Sequence, residues 1–170
     1  MPTATSNDRI ALVGIDPGVV HSGVVRFEFQ IPQQKLLINF KLFNGLECDE
    51  IVRYVKYRPY EKAFIEKYQP RSHFSWDTDM QTAVIELKKR LPYSRVLLNT
   101  GVTKVITDAL MRTLDVWQFP AVSHHQDLRA AARIGLYGMV KDPEWNQELY
   151  RMVEKTLFTQ DPWKIERKED

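Results

Sequence analysis

Cysteine is almost missing from the 170 residues, with Cys48 standing alone. A single thiol forms no intramolecular disulfide and no cysteine-only zinc site, so the expected setting is reducing and intracellular, the cytoplasm. No run of 18 apolar residues occurs, and no membrane-spanning helix is expected. The polar residues 1–8 lack the apolar stretch of a signal peptide and are expected to be a flexible lead-in. Charge of one sign is not in excess either: 24 Lys and Arg against 22 Asp and Glu leave +2. Any polyanionic partner must therefore be read from where the charges sit, not from their sum. Repeats and low-complexity tracts are absent. The chain is 44% hydrophobic and 27% charged, which supplies enough apolar material for a core and excludes a disordered segment. One domain over residues 9–160 is expected, followed by a frayed, charge-alternating tail at 161–170.

Three strands open the chain. Residues 9–16 form a short apolar run closed by Asp16, which reads as a buried strand. Residues 19–29 are rich in β-branched and aromatic side chains, residues 31–34 read as a turn, and residues 35–43 return as a third strand. Helical spacing then appears at 47–57, strand character at 63–68, and helical spacing again at 77–91, ending before Pro92. A buried strand at 95–99 and helices at 102–114, 123–137 and 144–158 complete the pattern. The expected fold is α/β: a mixed five-stranded sheet, three antiparallel strands and then parallel ones, with helices on both faces.

Three acids sit in unusual places. Asp16 closes a strand and precedes Pro17 and Gly18, where a glycine lets a ligand approach the backbone; its plainer reading is the first residue of a β-turn. Glu66 shares a strand face with Phe64, and an acid in a strand needs a cation, a proton or water; its plainer reading is a solvated edge strand. Asp127 lies in the first turn of a helix whose start at Ser123 and Gln126 fits a capping box, where the helix dipole alone favours an acid. His124 lies three residues before Asp127, on the same helix face, a spacing suited to joint metal ligation; the plainer reading of the pair is a surface ion pair.

Taken together the acids are more informative. In a β-β-β-α-β arrangement the first and fourth strands can pair in parallel, which places Asp16 beside Glu66. Three carboxylates at close quarters repel one another unless cations neutralise them, and an oxygen-rich donor set suits Mg²⁺ or Mn²⁺ rather than zinc. Two such ions about 4 Å apart activate water and stabilise the leaving oxygen at a phosphodiester.

Gly14, Asp16, Pro17, Gly18 and Gly23, then Phe64 and Glu66, then His124, Asp127, Leu128 and Ala131 resemble the motifs of RuvC-like Holliday-junction resolvases of the RNase H-like superfamily, in particular the phage-encoded branch. The first element also loosely resembles the phosphate loop of actin-like ATPases, but 170 residues leave no room for their second nucleotide-binding half. The resemblance spans residues 10–140 and implies a dimeric endonuclease with a pair of divalent ions. Such an enzyme cuts strands of like polarity at a four-way DNA junction and leaves 5′-phosphate and 3′-hydroxyl ends. It further implies that Asp16, Glu66 and Asp127 are metal-binding carboxylates. His124, at a position that is an acid in some relatives, is a ligand or proton-transfer group. The phage-like character implies debranching of replicated or recombined genomes before packaging.

Charge distribution bears on the substrate. Residues 53–71 hold six basic side chains interleaved with Tyr54, Tyr57, Tyr60 and Tyr68, a composition suited to phosphate contact and base stacking and equally to a solvated helix with tyrosines partly in the core. After Glu66 come Tyr68, Arg71, Phe74 and Trp76; the resemblance implies that one of these aromatics wedges into the junction. Lys88 and Lys89 close a helix, where the dipole favours them, and Lys104 follows Gly101 at a helix start. All three are candidate DNA contacts. Surplus apolar residues at 77–91 and 102–114 are compatible with a homodimer seam. Other readings remain: a nuclease acting on RNA–DNA hybrid or structured RNA, and a junction-binding protein without catalysis.

Overall fold

The computed structural model describes residues 8–67, 76–120 and 125–170. Strands β1 (Arg9–Asp16), β2 (His21–Gln30) and β3 (Lys35–Asn44) form the antiparallel meander. Helix α1 (Cys48–Tyr57) leads to β4 (Lys62–Glu66), which pairs in parallel with β1. Helix α2 (Trp76–Arg90) crosses to β5 (Ser94–Leu97), parallel to β4. Then follow α3 (Val102–Val105), α4 (Asp108–Thr113), α5 (His125–Lys141) and α6 (Glu148–Phe158). A last strand, β6 (Lys164–Glu169), joins β3 in parallel. The sheet therefore has six strands in the order β5-β4-β1-β2-β3-β6, one more than expected.

The sixth strand replaces the frayed tail. Its ends are held by the Lys164 amide on the Gln34 carbonyl (2.8 Å) and the Asp170 amide on the Phe40 carbonyl (2.9 Å). Trp163, 9% exposed, anchors its entry edge-on against Phe29. Alternating charges suit an edge strand, because they discourage pairing with another chain while the backbone completes the ladder.

The predicted helix at 102–114 is broken in two. Thr107 is extended and its hydroxyl accepts the Leu110 amide at 3.2 Å, so it caps α4 and ends any continuous helix. The helix predicted from 144 begins at Glu148. Ahead of it, Asp142 Oδ1 accepts the Glu144 amide at 2.9 Å and the fully buried Trp145 pins the turn.

Strand alternation sorts the core into two layers. Ile10, Leu12, Val25, Phe27, Ile38 and Phe64 face α4, α5 and α6, while Val13, Ile15, Val24, Ala63 and Ile65 face α1 and α2. Helix α5 is the central element, and it lies unusually close to the sheet. A Cβ on Gly14 would stand 1.9 Å from the Ala131 carbonyl oxygen, and one on Gly23 would stand 2.4 Å from that of Asp127. From the helix side, Gly138 sits against the Phe64 ring, 2.3 Å from where its Cβ would be. Each glycine inside a helix costs about 1 kcal/mol relative to alanine. The return is backbone-to-backbone contact that fixes the helix start over the ends of β1 and β2.

The apolar residues at 102–114 turn out to serve this core: Val102, Ile106, Met111 and Leu114 are buried against it. On α2, Met80, Ala83, Val84 and Leu87 are buried and Ile85 is 64% exposed. Among the described residues, no helix is long and apolar enough to cross a membrane.

Candidate active site

Asp16 and Glu66 terminate adjacent parallel strands. Ile15 is in register with Ile65, so the next residues along are these two acids. Both project on the face covered by α5, as the alternation from Leu12 through Gly14 and from Phe64 requires. The two side chains are hydrogen-bonded to each other. Such contact favours the protonated form of Asp16, unless a cation takes the proton's place. Asp127, in the first turn of α5, is brought over the same spot because α5 rests on Gly14 and Gly23.

The electrostatics follow from that placement. Burial, then the hydrogen bond and charge of Glu66, then the charge of Asp127 together hold the Asp16 carboxyl well above the usual carboxylate range. Acids placed so that they resist ionisation cluster at functional sites, which makes Asp16 a candidate.

Sequence reasoning missed one neighbour. Asn99 Nδ2 donates to Glu66 Oε1 at 2.9 Å, steadying one carboxylate oxygen and leaving the other for Asp16 or a ligand. Glu66 is in register with Leu97, so an amide two residues past the end of β5 arrives beside it. That signal was visible only once β4 and β5 were known to be neighbours.

The remaining candidates divide. His124, Tyr68, Arg71 and Phe74 lie outside the described residues, as does the Trp76 side chain. His125 is engaged elsewhere: its Nδ1 accepts the Phe119 amide at 2.9 Å. Lys104 is exposed on α3, which follows the C-terminal end of β5 and so lies at the acids' end of the sheet. Lys88 and Lys89 do not join the site. Helix α2 runs back antiparallel to β4 and β5, so its last turn lies at the opposite end, where Lys88 Nζ donates to the Ser94 carbonyl at 3.4 Å.

Whether this chain's residues fit a divalent cation is a question of donor chemistry. Among the described residues, no three His, Cys, Asp or Glu side chains are close enough to make a complete ligand group. The Asp16–Glu66 pair nonetheless provides hard oxygen donors on rigid strands. Mg²⁺ in particular is bound through one or two carboxylates together with substrate phosphate oxygens and water, not by an all-protein cage. The pair fits that requirement.

The sheet order, the three-strand meander and the helix laid across the acid-bearing strands define an RNase H-like fold of the kind found in RuvC-type resolvases. No protein-family model matches the sequence, and no curated protein matches it. Solved structures do. Thermus thermophilus RuvC in complex with a Holliday junction substrate superposes with a TM-score of 0.52 at 12% identity, over 75% of this chain and 90% of that one. The fowlpox virus resolvase in complex with Holliday junction DNA gives 0.50 at 10% identity, over 76% and 96%. The yeast mitochondrial Holliday junction resolvase gives 0.54 at 12% identity, over 84% and 83%. At such identities the likeness is one of fold.

Proposed function

We propose that the chain is a divalent-metal-dependent, structure-selective DNA endonuclease that resolves four-way junctions and other branched DNA. The observation that carries this reading is the Asp16–Glu66 pair, hydrogen-bonded at the ends of neighbouring strands with Asp127 charged above it. The solved structures of like fold that hold Holliday junction DNA support branched DNA as the substrate class.

Asp16, Glu66, Asp127 and His124 would hold a pair of Mg²⁺ or Mn²⁺ ions. The chemistry those ions supply when bound is activation of water and neutralisation of charge at the phosphodiester, giving 5′-phosphate and 3′-hydroxyl products. Before that, Asp16 gives up the proton that its crowding favours. Asn99 keeps Glu66 oriented through that change, and the backbone seat of α5 on Gly14 and Gly23 keeps Asp127 at a fixed height. Lys104, with Tyr68, Arg71, Phe74 and Trp76 from the segment after Glu66, would contact the DNA. Lys88 and Lys89 would contact it only along an arm reaching the far end of the sheet. Paired cuts call for two copies, and the exposed Ile85 on α2 would be one apolar side chain available to a second. This reading puts the protein in the cytoplasm, a host's if it is phage-encoded; the phage-like branch is supported by the sequence motifs alone.

The test is cutting with Mg²⁺ and then Mn²⁺ of a mobile four-way junction, a Y-fork, linear duplex and an RNA–DNA hybrid, with Asp16→Asn and Glu66→Gln alongside. Paired nicks confined to branched DNA and lost in both variants are expected. Cutting of the hybrid alone would move the function to RNA removal. Tight junction binding without cutting would make the chain a binding module.

A further inference from the structure

The face of the sheet turned away from α5 changes character along its length. Near the C-terminal ends of β1 and β4 it is apolar and covered by α1 and α2. Beyond the end of α1, at Arg58 and Pro59, it becomes polar and opens into a cleft of about 570 Å³ lined by Arg9, Arg26, Glu28, Asn39, Arg58 and Lys168 among others. Arg26 is in register with Asn39, and Asn39 with Lys168. One row of three side chains thus crosses β2, β3 and β6, adjacent strands being about 4.8 Å apart.

The charges in this cleft do not cancel. Glu28 pairs with two guanidiniums, Arg9 at 2.5 Å and Arg26 at 2.8 Å, and the Glu61 carboxylate also acts on Arg9. Arg58 is satisfied by a two-pronged pair with Asp170, at 2.7 and 2.9 Å. Glu166 pairs with Lys35 at 3.2 Å, and the Arg167 guanidinium reaches Asp115 at 3.0 Å. Lys168 is exposed and has no acidic partner among the described residues. The balance among the described residues leaves Lys168 as the uncompensated cation of the cleft.

Arg26 adds an independent observation. It is 5% exposed, and its Nη1 and Nη2 groups reach Asn39 Oδ1 (3.4 Å), Glu28 and the Pro59 carbonyl (2.8 Å). Its Nε, buried, has no hydrogen-bond partner among the described residues. A buried guanidinium N–H without an acceptor is costly, and an anion is the natural acceptor for it.

We propose that this cleft is a phosphate-binding site, with Arg26 Nε and Lys168 taking the oxyanion and Asn39 between them donating its amide. It does not rest on the nuclease reading: the row lies on the opposite face of the sheet from Asp16 and towards the other end of the strands. The phosphate belongs either to a small phosphorylated ligand, which a cleft of this volume accommodates, or to the backbone of a DNA arm passing that face.

The site is tested on the full ¹⁵N-labelled chain without divalent ion, following the Arg26 Nε–H resonance. The probes are inorganic phosphate, 2′-deoxyadenosine 5′-monophosphate and a blunt 20-base-pair duplex, each also run against Lys168→Glu, a change on an exposed strand position. The expected result is a saturable shift of that resonance, with affinity about tenfold weaker in Lys168→Glu. A shift with the small phosphates assigns a small ligand, and a shift with the duplex alone assigns the DNA backbone; either supports the site. No shift with any probe, or equal affinity in Lys168→Glu, overturns it. Because no cutting is measured, this failure is distinct from failure of the nuclease reading.

Discussion

Replacing Asp16 by asparagine should make the metal-free protein more stable while abolishing cutting. In the folded chain, burial and Glu66 raise the Asp16 carboxyl well above its ordinary range. A raised acid contributes stability below the unfolded-state carboxylate pKa, and loses it as the pH climbs through the folded value. At pH 8 and without cation, the wild type therefore carries a strained, crowded pair of acids. Asparagine removes one charge, and its amide can still donate to Glu66, as the protonated acid does. A gain of about 1–2 kcal/mol is expected, typical for relieving an active-site residue, or roughly 2–8 °C in Tm for a chain of this size. Near pH 4 the gap should close, because the Asp16 carboxyl is then protonated. Adding Mg²⁺ to ten times its Kd should raise wild-type stability by about 1.4 kcal/mol and leave Asp16→Asn unmoved. Thermal melts at pH 4 and pH 8, with and without Mg²⁺, are the assay. A variant less stable than wild type at pH 8, or a gap independent of pH, would refute the crowded-acid argument.

Two further predictions concern the framework. Burial alone would raise Glu28, but hydrogen bonds from Arg26, Gln30 and Arg9 prevail and hold it at about 2. The stability it contributes is present above the ordinary carboxylate range and drains away as the pH falls towards 2; Glu28→Gln should cost about 1–2 kcal/mol at pH 7 once solvent screening is allowed for, and flatten the acid limb in urea titrations. Gly14→Ala should cost about 3 kcal/mol or more, because its Cβ would fall 1.9 Å from a carbonyl oxygen. Gly135→Ala should cost less: its Cβ would meet the Gly14 backbone and Leu12 at 3.2 Å, a few tenths of an ångström too close, while helix propensity returns about 1 kcal/mol. Equal melting temperatures for the two alanine variants would show that α5 can lift off the sheet freely.

Much of this architecture was legible in the chain because its signals are local. The acid at the end of β1, the Phe64–Glu66 alternation and the Pro92 stop each depend on neighbours two to four residues away. Parallel pairing of the first and fourth strands then followed from the element order, and with it the meeting of Asp16 and Glu66. What escaped was long-range. β6 is a run of charges whose strand identity comes from Gln34 and Phe40 carbonyls more than 120 residues upstream. Asn99 acquires its partner only through the β4–β5 register. The 102–114 segment has continuous helical spacing, and only the Thr107 hydroxyl divides it. Arg26 is polar in a strand buried along its whole length, and its meaning emerges only when Asn39 and Lys168 line up beside it.

The glycine seat of α5 also limits how the site can change over time. Where side chains set the gap between two elements, a larger or smaller one retunes that gap by fractions of an ångström. Between α5 and the sheet, carbonyls rest against Cα atoms at Gly14 and Gly23, and nothing remains to trim. The separation of Asp127 from the strand acids is thus inherited from peptide geometry and is deaf to drift in the surrounding core. A site built this way can let most of the sequence around it wander without ever re-adjusting the distance between its acids.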